Sequence, residues 1–240
     1  MSDRYLIVNA DDFGQSPGIN RGIIQAHENG IVTSASMMVR WPAARVAAEY
    51  SRRRPELSVG LHLDLGEWDF RNGGWHPRYE VVSVDDALAV GDELLRQIEL
   101  FRSLVGSDPT HIDSHQHVHS REPARSVVNE IVKRVGVPLR HDSAVRYCGS
   151  FYGQTSEGEP LPQAIQFDSL IRVFRGLGPG TTELGCHPGL GEDTHTMYSA
   201  ERRREVEVLC DARLRSIVDG LGITLCNFRD FDGYQPAVRR

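Results

Sequence analysis

The sequence predicts an α/β fold, a (β/α) barrel in complete, incomplete or distorted form. Short apolar runs alternate with helical stretches about seven times along the chain. The residues richest in chemistry stand just after the apolar runs. Strand followed by helix implies a mainly parallel sheet, because parallel strands need long crossovers, and the helical stretches here are long enough. An open doubly wound sheet satisfies the same pattern. The number of units favours the barrel. A chain of 240 residues fits one such unit, so 1–240 reads as a single catalytic domain.

The elements follow in order. Tyr5 to Ala10 is an apolar run rich in branched residues, the first strand. Asp11-Asp12-Phe13-Gly14 is a turn signal, and Pro17 to Asn29 reads as a helix with Ile19, Ile23, Ile24 and Ala26 on one side. Thr33 to Val39 is a second strand, Ala43 to Arg54 a helix stopped by Pro55, and Leu57 to Leu63 a third strand. Asp85 to Val105 is a long helix with Leu88, Leu94, Leu95, Ile98 and Leu104 on its apolar side. Thr110 to Asp113 is a short strand, Arg121 to Val135 a helix, and Val137 to Leu139 the start of another strand. Ile165 to Leu177 is helical, Thr182 to Cys186 a strand, Ala200 to Leu221 a helix and Ile223 to Asn227 the last strand. Gly66 to Val82 and Gly149 to Pro162 break the rhythm, and both read as irregular loops of the kind that carry function.

Composition narrows the class. Hydrophobic residues make up 40% and charged residues 25%, ordinary values for a soluble protein. The formal net charge is −6, with basic residues spread out, which argues against nucleic acid or an anionic membrane as partner. Arg52-Arg53-Arg54 and Arg202-Arg203-Arg204 read as solvated helix faces. No stretch has a signal-peptide shape or the roughly 18 apolar residues of a membrane span. Cys148, Cys186, Cys210 and Cys226 form no C-x-x-C pair and read as reduced thiols, with the cytoplasm as the expected location. A homodimer is one oligomeric state the sequence leaves open.

Asp11 and Asp12 follow the first strand, and His62 and Asp64 end the third. Asp113, His115, His117 and His119 follow the fourth, and His187 follows the strand ending at Cys186. In a parallel barrel those strand ends meet at one face. Imidazoles and carboxylates suit one divalent ion such as zinc, with a second carboxylate as general base. Adjacent aspartates reach one site only if the backbone turns between them. Taken alone, Asp11-Asp12 is as readily a turn cap as a ligand, and His62 in an apolar strand is more often a hydrogen-bonded core histidine. Four histidines in the nine residues from His111 to His119 have little structural reason to exist. Spacing leaves open which of them bind: extended chain aligns His115, His117 and His119, whereas a helical turn pairs His115 with His119. His27, His76, His141 and His195 read as surface or loop residues. Trp68, Phe70, Trp75 and Tyr79 cluster in the first irregular segment, suited either to stacking on a sugar ring or to packing.

At these residues the sequence resembles the YdjC-like carbohydrate deacetylases, also called chitooligosaccharide deacetylases. The matching blocks are Ile7 to Gly14, Asn29 to Ser36, Val59 to Leu63, Thr110 to His119 and Cys186 to Gly189. The resemblance implies a barrel related to polysaccharide deacetylases and one magnesium or zinc ion held by Asp12, His62 and His115. It implies Asp11 as general base, His187 as general acid and Arg140 beside the base. The implied substrate is a small N-acetylated sugar such as N-acetylglucosamine or a chitooligosaccharide. Two other classes fit the same residues: a phosphoesterase, which would recruit two metals or more cations, and a sugar- or metal-binding protein without catalysis.

Overall fold

The computed structural model describes residues 3–191, 196–232 and 235–236. His195 lies outside the described residues. β1 spans Arg4–Phe13 and is buried from Leu6 onward, as a central parallel strand must be. α1 follows at Pro17–Glu28; the Ser16 hydroxyl accepts the Ile19 N–H and Pro17 occupies the first turn, where its missing donor costs nothing. β2 (Ser34–Met37), α2 (Ala44–Arg53) and β3 (Ser58–Leu63) complete the first repeats.

The next segment corrects an expectation. Gly66 to Val82 is no irregular loop but an antiparallel hairpin, β4 (Gly66–Arg71) and β5 (Gly74–Glu80). Asn72 and Gly73 turn it, with φ of 53° and 76°, the left-handed pair that matches strand twist. α3 (Ala87–Val105) starts on an Asp86 cap and stops at Gly106 in left-handed conformation. Its buried side is Val90, Leu94, Ile98 and Phe101, whereas Leu88 and Leu95 are 82% and 50% exposed, contrary to the expected apolar face. β6 (Ile112–Ser114) leads into a kinked turn, His115–Ser120, in which Gln116 and His117 are left-handed at φ 50° and 54°, and then into α4 (Ala124–Val135).

Leu139 makes a single parallel bridge to Ile112, so the strand expected from Val137 is one residue of pairing. β7 (Arg146–Cys148) was not anticipated; three residues with an exposed first position carry no readable period. α5 (Phe167–Gly176) and β8 (Gly180–Cys186) follow. The single helix expected over Ala200 to Leu221 is two, α6 (Ala200–Leu209) and α7 (Arg213–Gly220). Asp211 accounts for the break: its carboxylate accepts the Arg213 N–H and so starts a new helix. β9 (Ile223–Leu225) and a small antiparallel pair, β10 (Phe231–Asp232) with β11 (Gln235–Pro236), end the described chain.

The main sheet runs β6-β3-β2-β1-β8-β7, all parallel. β9 pairs with Arg4 to Leu6 of β1, while β2 pairs with its later residues. Among the described residues no pairing joins the β6 edge to β7, so the barrel is the incomplete form. Leu6, Val8 and Ala10 belong to the helix-covered core with Ile23, Leu94, Phe101 and Phe174. Ile7 joins a second cluster with Val145, Cys226 and Phe228. Alternation therefore sends Ile7, Asn9 and Asp11 to the inner side of the curl.

Candidate metal centre and cavity

The end of β1 solves the geometry that adjacent aspartates pose. Asp12 sits at φ 69°, and the pairing with β2 slips between Ala10 and Phe13. That left-handed residue is strained for a side chain larger than glycine, and strain of this kind marks functional sites. Its effect is that both carboxylates face the same inner surface. Gly14 then turns the chain, with its N–H donated to Asn20 Oδ1 at 2.7 Å.

Asp12 Oδ1 lies 3.3 Å from His62 Nε2 and 3.1 Å from His115 Nδ1. One ligand atom from each of Asp12, His62 and His115 falls within 4.8 Å of the others. His62 Nδ1 donates to Asp113 at 2.7 Å, which fixes the ring with Nε2 toward Asp12, the nitrogen that would offer its lone pair to an ion. Asp12 Oδ1 accepts no well-directed hydrogen bond although it is buried. Burial opposes charging His62, but Asp113 and Asp11 outweigh it and hold its pKa well above the usual value. His115 is likewise opposed by burial and raised by Asp12. Two imidazoles pulled toward the charged form around one bare carboxylate oxygen are what a divalent cation would replace, so a nitrogen-nitrogen-oxygen donor set fits zinc or magnesium here.

Asp11 is held from the other side. Its carboxylate receives both Arg140 terminal nitrogens at 2.8 Å and Asn9 Nδ2 at 2.9 Å. Burial pushes its pKa up, yet the Arg140 charge wins and keeps it below the ordinary value. Arg140 is itself buried and also meets Asp113 and Glu183, each at 2.5 Å. Asp11, His62 and Asp113 form a second cluster of ligand type. Arg140 already occupies Asp11 and Asp113, so that cluster is an ion-pair network and not a second metal seat. Burial drives Glu183 up to about 7 despite Arg140, with the neighbouring Asp113 and Asp11 charges adding to the rise.

His187 Nε2 stands 3.7 Å from Asp11 Oδ2, and its Nδ1 is buried without a hydrogen-bond partner. Its backbone N–H donates to Glu205, and its ring packs against Tyr152 and Tyr198. Burial pushes it down to about 4, so the imidazole rests neutral. The histidines that spacing could not separate now divide. His119 is spent on structure, with Nδ1 on the Ser114 hydroxyl and Nε2 3.0 Å from the Arg140 carbonyl. His117 packs beside His141 and Tyr147, and His111 stacks on Phe228 with Nε2 2.9 Å from Ser36 Oγ. His141, expected as a plain loop residue, is exposed yet part of this cluster.

Asp11, Asp12, His62, His115 and His187 floor a cavity of about 810 Å³. Trp68, Trp75, Glu67, Tyr147, Tyr152 and Gln154 stand among its walls. The hairpin is a fixed wall: the Gln116 side chain bonds the Trp68 N–H and carbonyl at 2.9 and 2.8 Å, and Tyr79 donates to Asp64 at 2.9 Å. Arg202 corrects the reading of its run as solvated. Arg203 and Arg204 are exposed, but Arg202 is 4% exposed and bonds Asp12 Oδ2 at 2.6 Å. The signal was present in the sequence: Arg202, Glu205, Val206 and Leu209 share one helical face, and all four are buried.

The YdjC-like protein model matches residues 5–220. The chain belongs to the YdjC-like family. It is 34% identical to a carbohydrate deacetylase of Geobacillus stearothermophilus, covering 95% of this chain and 98% of that one. A chitooligosaccharide deacetylase of Klebsiella pneumoniae is 35% identical over 95% of this chain and 99% of its own length. A crystal structure from Enterococcus faecalis V583, whose provisional name refers to cellobiose-phosphate cleavage, superposes with a TM-score of 0.78 at 25% identity, covering 95% of this chain and 99% of that one. A family 4 carbohydrate esterase from Streptomyces lividans, at 11% identity and a TM-score of 0.56 over 95% and 93% of the two chains, shares the distorted barrel architecture.

Proposed function

We propose that this chain is a metal-dependent carbohydrate N-deacetylase that cleaves the acetamide of a small N-acetylated sugar and releases acetate. The observation that carries this is the convergence of Asp11, Asp12, His62, His115 and His187 on the floor of one cavity. The named activities of the family's members supply the substrate class. Residues 1–240 form the proposed catalytic unit.

Asp12, His62 and His115 would hold the ion, zinc or magnesium. Bound there, it supplies Lewis-acid polarisation of the acetyl carbonyl and an acidified water. Asp11, kept ionised by Arg140, takes the proton from the attacking water. Arg140 orients that carboxylate through two bonds from one side, so the free lone pairs face the cavity. His187, across from Asp11, delivers a proton to the departing amine, having taken it up during turnover because it rests neutral. Trp68 and Trp75 offer apolar ring faces to the sugar. No helix among the described residues is long and apolar enough to cross a membrane. The proposed setting is the cytoplasm, with the protein acting as a monomer or homodimer.

The test is acetate release from N-acetylglucosamine mono-, di- and trisaccharides, using metal-stripped protein reloaded with zinc or magnesium. Metal-dependent release that disappears in Asp11→Asn is the expected result. Metal binding without acetate from any of them would overturn the deacetylase reading and favour another acyl or phosphoryl substrate.

A further inference from the structure

Asp12 is bound on both sides, and the two sides differ. Oδ1 faces His62 and His115, while Oδ2 takes the Arg202 guanidinium at 2.6 Å. Both groups are buried, at 0% and 4% exposure, so water screens this pair weakly. Arg202 does more than neutralise. Its Nε donates to the Tyr198 carbonyl at 2.8 Å and its remaining terminal nitrogen to the His187 carbonyl at 3.3 Å. One rigid fork therefore joins the ligand carboxylate of β1, the backbone of His187 and the aromatic wall at Tyr198. Its stem is packed as well: a side chain added at Gly189 would strike Arg202 Cδ at 3.0 Å. Arg140 treats Asp11 and Asp113 in the same way, so each of these three carboxylates has an arginine against it.

We infer that Arg202 is a positioning residue that keeps Asp12 a one-oxygen, charge-neutralised ligand, weakening hold on the metal in exchange for a more electrophilic ion. This rests on the metal reading of Asp12, His62 and His115. With Oδ2 committed to Arg202, Asp12 is restricted to Oδ1, which keeps coordination positions open for water and substrate. A cation 2.6 Å from the carboxylate also withdraws negative charge from the ion. A merely structural arginine would have the opposite signature: its loss would loosen the site and weaken metal binding together with activity.

The experiment is calorimetric titration of zinc, then magnesium, into metal-stripped wild type, Arg202→Met and Arg202→Lys, with circular dichroism to check folding. Arg202→Met is expected to bind zinc about tenfold more tightly than wild type while kcat for acetate release falls about 10-fold to 100-fold. Arg202→Lys, which keeps the charge, is expected to retain wild-type zinc affinity. If Arg202→Met does not fold, Arg202→Gln carries the same expectation, since it too removes the positive charge from beside Asp12 while keeping a polar side chain at the buried position. Weaker or unchanged zinc binding in the neutral variants, beside a wild type that binds normally, overturns this inference alone. A wild type that binds no zinc or magnesium overturns the metal reading and this inference with it.

Discussion

His115 and His119 stand four residues apart after the same strand, across the left-handed residues Gln116 and His117, and they meet opposite surroundings. His115 Nδ1 faces a carboxylate at 3.1 Å, and that carboxylate outweighs burial to draw the imidazole toward charge. His119 faces a hydroxyl and a backbone carbonyl, and burial pushes it down to about 4. His117, beside other rings, is pushed by burial to about 3. Four histidines in one short stretch are therefore one proposed ligand, one ring on the cavity wall, His117, and two buried packing groups. What separates them is the partner each ring meets, and those partners come from distant strands.

The strongest way to break this comparison is to truncate both rings. His115→Ala should lose the metal and at least roughly 10³-fold in activity, several kcal/mol of charge stabilisation. His119→Ala should keep the metal, as elemental analysis of the purified variants would show; metal loss in His119→Ala instead would collapse the distinction. Asp11→Asn should retain the metal and lose about 10²–10⁴-fold in kcat, the size of a lost general base. His119→Ala should cost about 1–3 kcal/mol in denaturant unfolding, because the buried Ser114 hydroxyl and Arg140 carbonyl both lose the imidazole they bond.

A smaller effect sharpens the role of the shell behind His187. Burial pushes Glu205 up to about 8 in the folded protein, against 4.5 as its ordinary value. The folded state then holds a proton that the unfolded state releases, so Glu205 contributes stability below pH 4.5 that is lost as pH rises to 8. The slope is at most about 1.4 kcal/mol per pH unit. Glu205→Gln should flatten unfolding free energy across that window; an unchanged slope would mean that Glu205 is ionised in the fold. Smallest of all, Trp75→Ala should raise KM for sugar oligomers by less than about tenfold, or 1.4 kcal/mol, with kcat unchanged, since Trp75 is 47% exposed at the cavity wall.

Much of the parallel sheet was legible because its strands are buried on both sides and read as apolar runs separated by helical periods. The six residues singled out as ligands, base, acid and arginine all arrive in one place. Their convergence followed from one rule, that parallel strands present their C-terminal ends together. The hairpin was overlooked although Asn72-Gly73 between aromatic, alternating residues announces it. Arg202 was overlooked because a run of arginines looks solvated until one asks which of them shares a face with Val206 and Leu209. The part played by Asp113, holding His62 from behind, needs a contact across 51 residues that no local pattern contains.

The hairpin leaves and rejoins the body of the protein at neighbouring points, where the Val81 N–H bonds the Leu65 carbonyl at 3.0 Å. Among the described residues its two strands pair with each other and with no strand of the parallel sheet. Such an appendage is an exchangeable cassette. A hairpin of another length or composition can be spliced between these two residues while Asp12, His62 and His115 keep their register. Three ties must be rebuilt in any transplant: Tyr79 to Asp64, the Trp68 backbone to Gln116 and the Phe70 N–H to the Met197 sulfur. Diversity in what the protein accepts can therefore accumulate in about fifteen residues, largely insulated from the chemistry beneath them.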